Sequence, residues 1–159
     1  MKSKGSVDQI VVITDASCFI ILHKVNALSL LHQLFTKVIT TPEIVAEYGT
    51  SLPEWVDIIS VKNKKLQNEL SLVIDAGEAS AIALAHEIEN NYLITDDLQA
   101  RKLALKLGLP MMGTLGVLLM AKQKELISLV APYLELINQT NFRMATDLFN
   151  TILREAGEI

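Results

Sequence analysis

Short apolar runs alternate along this chain with longer stretches in which apolar residues recur every three or four positions. The first pattern suits strands buried on both faces, the second helices with one face on a core. Ile10 to Thr14 (IVVIT) is a β-branched strand, and Lys37 to Thr40 (KVIT), Val56 to Val61 (VDIISV) and Tyr92 to Thr95 (YLIT) repeat the signal. Ser17 to Lys24 and Ala27 to Phe35 are helix-compatible, with Asn26 as a cap between them. Thr41-Pro42-Glu43 opens the next helix with a capping hydroxyl, a first-turn proline and an acid at the positive end of the dipole, and Gly49 stops it. Lys62 to Ser71 predicts a polar helix, and Asp75-Ala-Gly-Glu78 starts an alanine-dense one running to Glu89. Leu98 to Leu107 is a helix closed by Gly108, and Pro110 to Gly113 is a short edge strand or an extended segment. Thr114 to Lys122, Ile127 to Ile137 and Asn141 to Glu155 complete the helices; the last aligns Phe142, Ala145, Leu148, Phe149, Ile152 and Leu153 on one face. The alternation predicts an α/β protein, a three-layer α/β/α sandwich with a mostly parallel sheet.

Composition narrows the class. The length of 159 residues suits one domain, and a hydrophobic share of 50% with only 5% aromatics implies an aliphatic core. No apolar stretch approaches the ~18 residues of a membrane span. The run Ile10 to Ile13 behind MKSKGSVDQI is too short for a signal peptide, so a cytoplasmic protein without a membrane partner is expected. The lone Cys18 excludes an internal disulfide and a cysteine metal cluster. A net charge of -4 excludes a protein that coats nucleic acid by bulk positive charge. A nuclease remains open, because bound metal ions let an acidic site receive a phosphate.

The chemistry-bearing residues are acids. Asp15 follows the first strand, and Asp96 and Asp97 follow the strand Tyr92 to Thr95. In a parallel sheet both places lie at the carboxyl edge, where such folds bind ligands. Glu47 lies one and a half turns into the helix after Lys37 to Thr40, and Glu78 in the first turn of its helix behind Gly77, where a glycine lets another backbone approach. Singly, each acid has an ordinary role: Asp15 and Asp97 as helix caps, Asp97 also pairing with Arg101, Glu78 favoured by the dipole, Glu47 as a solvated helix residue. Together they repel unless a cation is present. An oxygen-only cluster suits Mg²⁺ or Mn²⁺, whose usual work in such a setting is phosphodiester hydrolysis.

Four stretches, "VITDASCFI", "TPEIVAEYG", "DAGEASAIALA" and "LITDDLQAR", resemble in order and spacing the PIN-domain ribonucleases, most closely the small prokaryotic branch similar to the toxins of toxin–antitoxin pairs. The resemblance covers roughly Ile10 to Lys124. It implies a PIN-like domain over residues 1–124 and a C-terminal helical extension, 125–159, packed on the same domain or on a dimer partner. It also implies a metal-dependent endoribonuclease with Asp15, Glu47, Glu78 and Asp97 as catalytic acids and Asp15, Glu78, Asp96 and Asp97 around Mg²⁺ or Mn²⁺. Ser17 and Thr95 fall on the site hydroxyls. Asp97 faces the metal, while Asp96 shares it or caps the helix. RNA is the implied substrate, with a small antitoxin and a second copy of the chain as partners. Family toxins often carry a basic patch near the site. Here positive charge is thin, and Arg101 and Lys102 are the candidates for nucleic-acid contact, against the plainer reading of a solvated helix face.

Other residues read as structural. Cys18 has no adjacent histidine to make it a nucleophile, and His23, His32 and His86 lack metal-like spacing. Trp55 reads as a packing or oligomer-contact residue before a base-stacking one. Two other functions compete. A PIN-like module that binds nucleic acid or protein without cutting would tend to lose an acid, and this chain keeps the set. An aspartyl-phosphate enzyme would want an aspartate where Ser17 stands, and a receiver a late lysine that "MMGTLG" lacks.

Overall fold

The computed structural model describes residues 9–142 and 144–159. The expectations for the first eight residues, and for position 143 within the last predicted helix, lie outside the described residues. Five strands form one sheet: β1 (Val11–Thr14), β2 (Lys37–Thr40), β3 (Val56–Ile58), β4 (Tyr92–Ile94) and β5 (Met111–Met112). Their order is β3-β2-β1-β4-β5, and every neighbouring pair is parallel. Among the described residues nine helices flank the sheet: α1 (Ala16–Lys24), α2 (Ser29–Leu34), α3 (Pro42–Tyr48), α4 (Lys64–Leu70), α5 (Ala76–Glu87), α6 (Leu98–Lys106), α7 (Thr114–Gln123), α8 (Ala131–Asn138) and α9 (Thr146–Glu155). The predicted α/β/α architecture is the observed one, with the sheet wholly parallel.

The strand order explains where a ligand goes. From β1 the chain steps outward through β2 to β3, then returns across the sheet to β4 on the other side of β1. Right-handed crossovers in opposite directions put their helices on opposite faces. The reversal leaves a crevice at the carboxyl ends of β1 and β4, the topological switch point at which open sheets bind ligands. Thr14 lies opposite Ile94 in the register, so the segments beginning at Asp15 and Thr95 leave the sheet side by side.

Buried aliphatics fill both faces, with Ile13, Leu22, Leu31, Ile82, Leu84, Leu93 and Leu118 all below 2% exposed. Helix α5 is buried on nearly all sides, from Ala79 to Ala85, and alanine lets it lie close to β1 and β4. Departures from the expected boundaries have local causes. Asn26 adopts φ 61 instead of capping, and α2 starts at Ser29. Helix α8 starts at Ala131, not near Ile127, because Pro132 lacks an N–H and is tolerated only in a first turn. The apolar face of α9 turns Ile152 and Leu153 into the core against α7, while Leu148 stays 41% exposed. No described helix is long and apolar enough to cross a membrane.

Candidate active site

Asp15 ends β1 and caps α1. Its carboxylate accepts from the Cys18 N–H at 3.1 Å and faces the Ser17 hydroxyl at 3.0 Å from both oxygens, while its own N–H donates to the Ile94 carbonyl. The side chain is 2% exposed. Burial pushes its carboxyl up to about 6; the Thr95 hydroxyl beside it pulls the other way, and the Asp96 charge pushes upward again.

Asp96 and Asp97 leave β4 and diverge. Asp97 caps α6 through Oδ2, which accepts from the Ala100 N–H at 2.9 Å, and Oδ1 takes no hydrogen bond from the described residues. Asp96 turns toward the amino end of α7. Its Oδ1 accepts from the Thr114 N–H at 2.8 Å, and its Oδ2 from the Thr114 hydroxyl at 2.6 Å, with the Ser17 hydroxyl at 3.3 Å. Arg101 does not pair with Asp97; its Nη1 donates to the Thr95 carbonyl at 2.9 Å, beside Gly113. Lys102 is exposed on α6, where with Lys106, Val73 and Leu103 it lines a cavity of about 400 Å³.

Glu47 and Glu78 approach from the helical layer. Thr41 caps α3 through the Ile44 N–H, and its hydroxyl lies 2.7 Å from that of Ser80, which bonds the Gly77 carbonyl. This chain of hydroxyls fastens the helix carrying Glu47 to the one carrying Glu78. A Cβ on Gly77 would collide with Glu47 Oε1, so the glycine makes room for a carboxylate rather than for a backbone. Burial raises the Glu47 carboxyl, and the Asp75 charge adds to it. Glu78 is half-buried. Burial pushes it up to about 8, reinforced by the charges of Asp75, Asp97, Asp15 and Glu47. Neither the Glu47 nor the Glu78 carboxylate takes a hydrogen bond from the described residues, and the single ion pair among those residues is Lys122–Glu158, away from this edge.

The donors are carboxylates and hydroxyls throughout, the chemistry a hard divalent cation takes. Asp15, Glu78 and Asp97 have oxygens to offer it. Among the described residues, however, no group of three or more His, Cys, Asp or Glu is drawn tightly enough to hold a metal. The donor type fits such an ion.

Three residues that the sequence analysis did not promote belong here. Asp75 caps α5 by accepting from the Glu78 N–H at 2.9 Å and heads the charges acting on Glu78; its D-x-x-E spacing was the available signal. Gly113 and Thr114 follow β5, a third strand ending at the same edge, and that position was their signal. Cys18 is buried; burial pushes its thiol well up, and Asp96 and Asp15 add to this, so it stays protonated. His32 lies stacked on Trp55, ring centroids 5.0 Å apart, just before β3 at the opposite edge of the sheet.

A family model described as a PIN domain matches residues 11–158, which includes the C-terminal helices as well as the sheet. No curated protein and no solved structure matches the chain.

Proposed function

The chain belongs to the PIN-domain family, and from that premise we propose that it is a metal-dependent endoribonuclease hydrolysing RNA phosphodiester bonds at the crevice between β1 and β4. The observation that carries the reading is Glu78: a half-buried carboxyl without a hydrogen bond from the described residues, pushed up by burial and then by the charges of Asp75, Asp97, Asp15 and Glu47, with no ion pair among the described residues to offset them. Such an arrangement costs free energy and is relieved by a divalent cation.

Asp15, Glu78 and Asp97 would hold Mg²⁺ or Mn²⁺, with Asp96 beside them. The bound ion supplies charge for the phosphate and lowers the pKa of an attacking water. The protein's own part is placement. Asp15 is held by Ser17, Cys18 and the neighbouring Thr95, so its orientation is set before substrate arrives. Glu47, exposed above Gly77, is free to accept a proton from water. Lys102 and Lys106 stand on the open side of α6, where an RNA strand would meet positive charge; Arg101 is turned inward and steadies the turn after β4. The partners that go with this reading are RNA, a second copy of the chain and, if the protein acts as the toxin of a pair, a small antitoxin.

A non-cleaving PIN-like binding module is the second reading, favoured by the absence of a closed group of metal-holding side chains among the described residues. Asp97→Asn separates the two. Asparagine still caps a helix, so the fold should hold, while cleavage of single-stranded RNA should fall at least ~100-fold at saturating Mg²⁺. Full activity in Asp97→Asn would remove Asp97 from the catalytic set, and a wild-type protein that binds RNA and never cuts it with any divalent ion would replace the nuclease with the binding module.

A further inference from the structure

Ser17 presents a problem of proton supply. Its hydroxyl lies 3.0 Å from both oxygens of Asp15 and 3.3 Å from Asp96 Oδ2, and it has one proton to give. Two carboxylates therefore compete for one donor. Thr114 resolves the competition by serving Asp96 twice, through its backbone N–H at 2.8 Å and its hydroxyl at 2.6 Å. Asp96 is satisfied from the α7 side, and the Ser17 proton is left to Asp15.

Gly113 makes this contact fit. A Cβ there would stand 2.8 Å from Asp96 Oδ1 and 3.3 Å from Arg101 Nη1, closer than the turn can accept without moving the carboxylate. Thr114 itself is fully buried, so its hydroxyl has no solvent alternative to Asp96.

We propose that Gly113 and Thr114 form a latch on Asp96, which makes Thr114 a positioning residue that sets the Asp15 carboxylate through Asp96 and Ser17, and Asp96 a part of the latch rather than a metal ligand. The inference rests on the nuclease reading for its consequence but on hydrogen-bond geometry for its existence, and the test keeps the two apart.

The variant is Thr114→Val, which keeps the shape and the backbone N–H and removes the hydroxyl; Thr114→Ser restores it. Two quantities are read. The first is exchange of the Cys18 amide, which bonds Asp15 Oδ1, measured by NMR without metal. Thr114→Val should speed it ~10-fold, with the Leu93 amide in the central sheet unchanged, as the Ser17 proton shifts toward Asp96 and Asp15 loosens. The second is Mn²⁺ affinity by calorimetry, which should fall ~10-fold or more, the usual cost of losing a partner that orients a metal-binding group. Thr114→Ser should restore both to within ~3-fold. Gly113→Ala, which presses a methyl against Asp96 Oδ1, should move both in the same direction and replaces Thr114→Val if that variant does not fold. Wild-type values of Cys18 exchange in Thr114→Val or Gly113→Ala would overturn the latch, as would a serine variant as impaired as the valine one. A wild-type protein that binds no Mn²⁺, with Cys18 exchange still dependent on Thr114, would leave the latch standing and remove the nuclease.

Discussion

At the residue scale the site is defined by acids that hold their protons more tightly than ordinary carboxyls do. Asp15 and Glu78 are pushed up to about 6 and about 8 from ordinary values of 3.8 and 4.5, first by burial and then by neighbouring carboxylates. A carboxyl whose folded pKa lies above its unfolded one holds its proton better in the folded state. It therefore stabilises the fold fully below the unfolded pKa, and that stability is lost as pH rises through the folded value. Metal-free protein should thus lose melting temperature steadily between about pH 4 and pH 8. Asp15→Asn and Glu78→Gln should each flatten part of the slope and melt no lower than wild type at pH 8, because they remove the charge that repels. Thermal denaturation in chelator across that range reads this directly. Asparagine caps a helix as well as aspartate does, so an Asp15→Asn protein that unfolds would mean that the Asp15 carboxylate supports the fold instead of straining it.

At the scale of elements, two helices are brought together so that their acids meet, and Gly77 is the point of contact. Its place inside the first turn of α5 needs no unusual backbone angle; it needs the absence of a side chain, because Glu47 Oε1 occupies that space. Gly77→Ala should separate stability from function. Alanine favours a helix by about 0.5–1 kcal/mol over glycine, and Glu47 is the end of a flexible side chain that can swing aside. The melting temperature should stay or rise while RNA cleavage falls ~10-fold through displacement of Glu47. A stable variant with undiminished cleavage would show that Glu47 is a surface residue. The hydroxyl pair Thr41–Ser80 ties the same two helices, and its burial explains why α3 and α5 hold their spacing without an ion pair.

For the whole molecule, the carboxyl-terminal helices are fastened by one acid. Glu158, with a side chain 6% exposed, accepts from the Val130 N–H at 2.6 Å and the Ala131 N–H at 3.0 Å at the start of α8, and pairs with Lys122 of α7 at 2.9 Å. Burial alone would raise its carboxyl; the Val130 N–H, the Lys122 ammonium and the Ala131 N–H outweigh it and hold it low. Here the linkage runs the other way. A depressed folded pKa gives stability that is present above the unfolded value and lost as pH falls through the folded one. Glu158→Gln should cost about 1–3 kcal/mol at pH 7, the worth of hydrogen bonds to a charged group, and the deficit should shrink in acid. Urea denaturation at pH 7 and again below pH 4 measures both; an undiminished fold at pH 7 would mean α9 is held by Ile152, Leu153 and the Lys122 hydrogen bond to the Ala156 carbonyl without help from Glu158.

The sequence by itself determined the layers and the edge. β-branched runs between amphipathic segments require a parallel sheet with helices on both faces, and a carboxylate directly after such a run must emerge at its carboxyl end; hence Asp15, Asp96 and Asp97 were legible, as were the caps at Asp15, Thr41 and Asp97 and the stops at Gly49 and Gly108. These are local effects, settled by neighbours a few residues away. Tertiary structure decided what depends on residues far apart in the chain. Strand order set β4 beside β1, so that Asp96 reaches Ser17, 79 residues away, and Thr114, 18 residues away. It turned Arg101 inward, gave the space at Gly77 to Glu47, and sent two adjacent aspartates to different partners. No periodicity encodes these, because a hydrogen bond needs a donor at about 3 Å, and only the closed sheet brings those atoms to that distance.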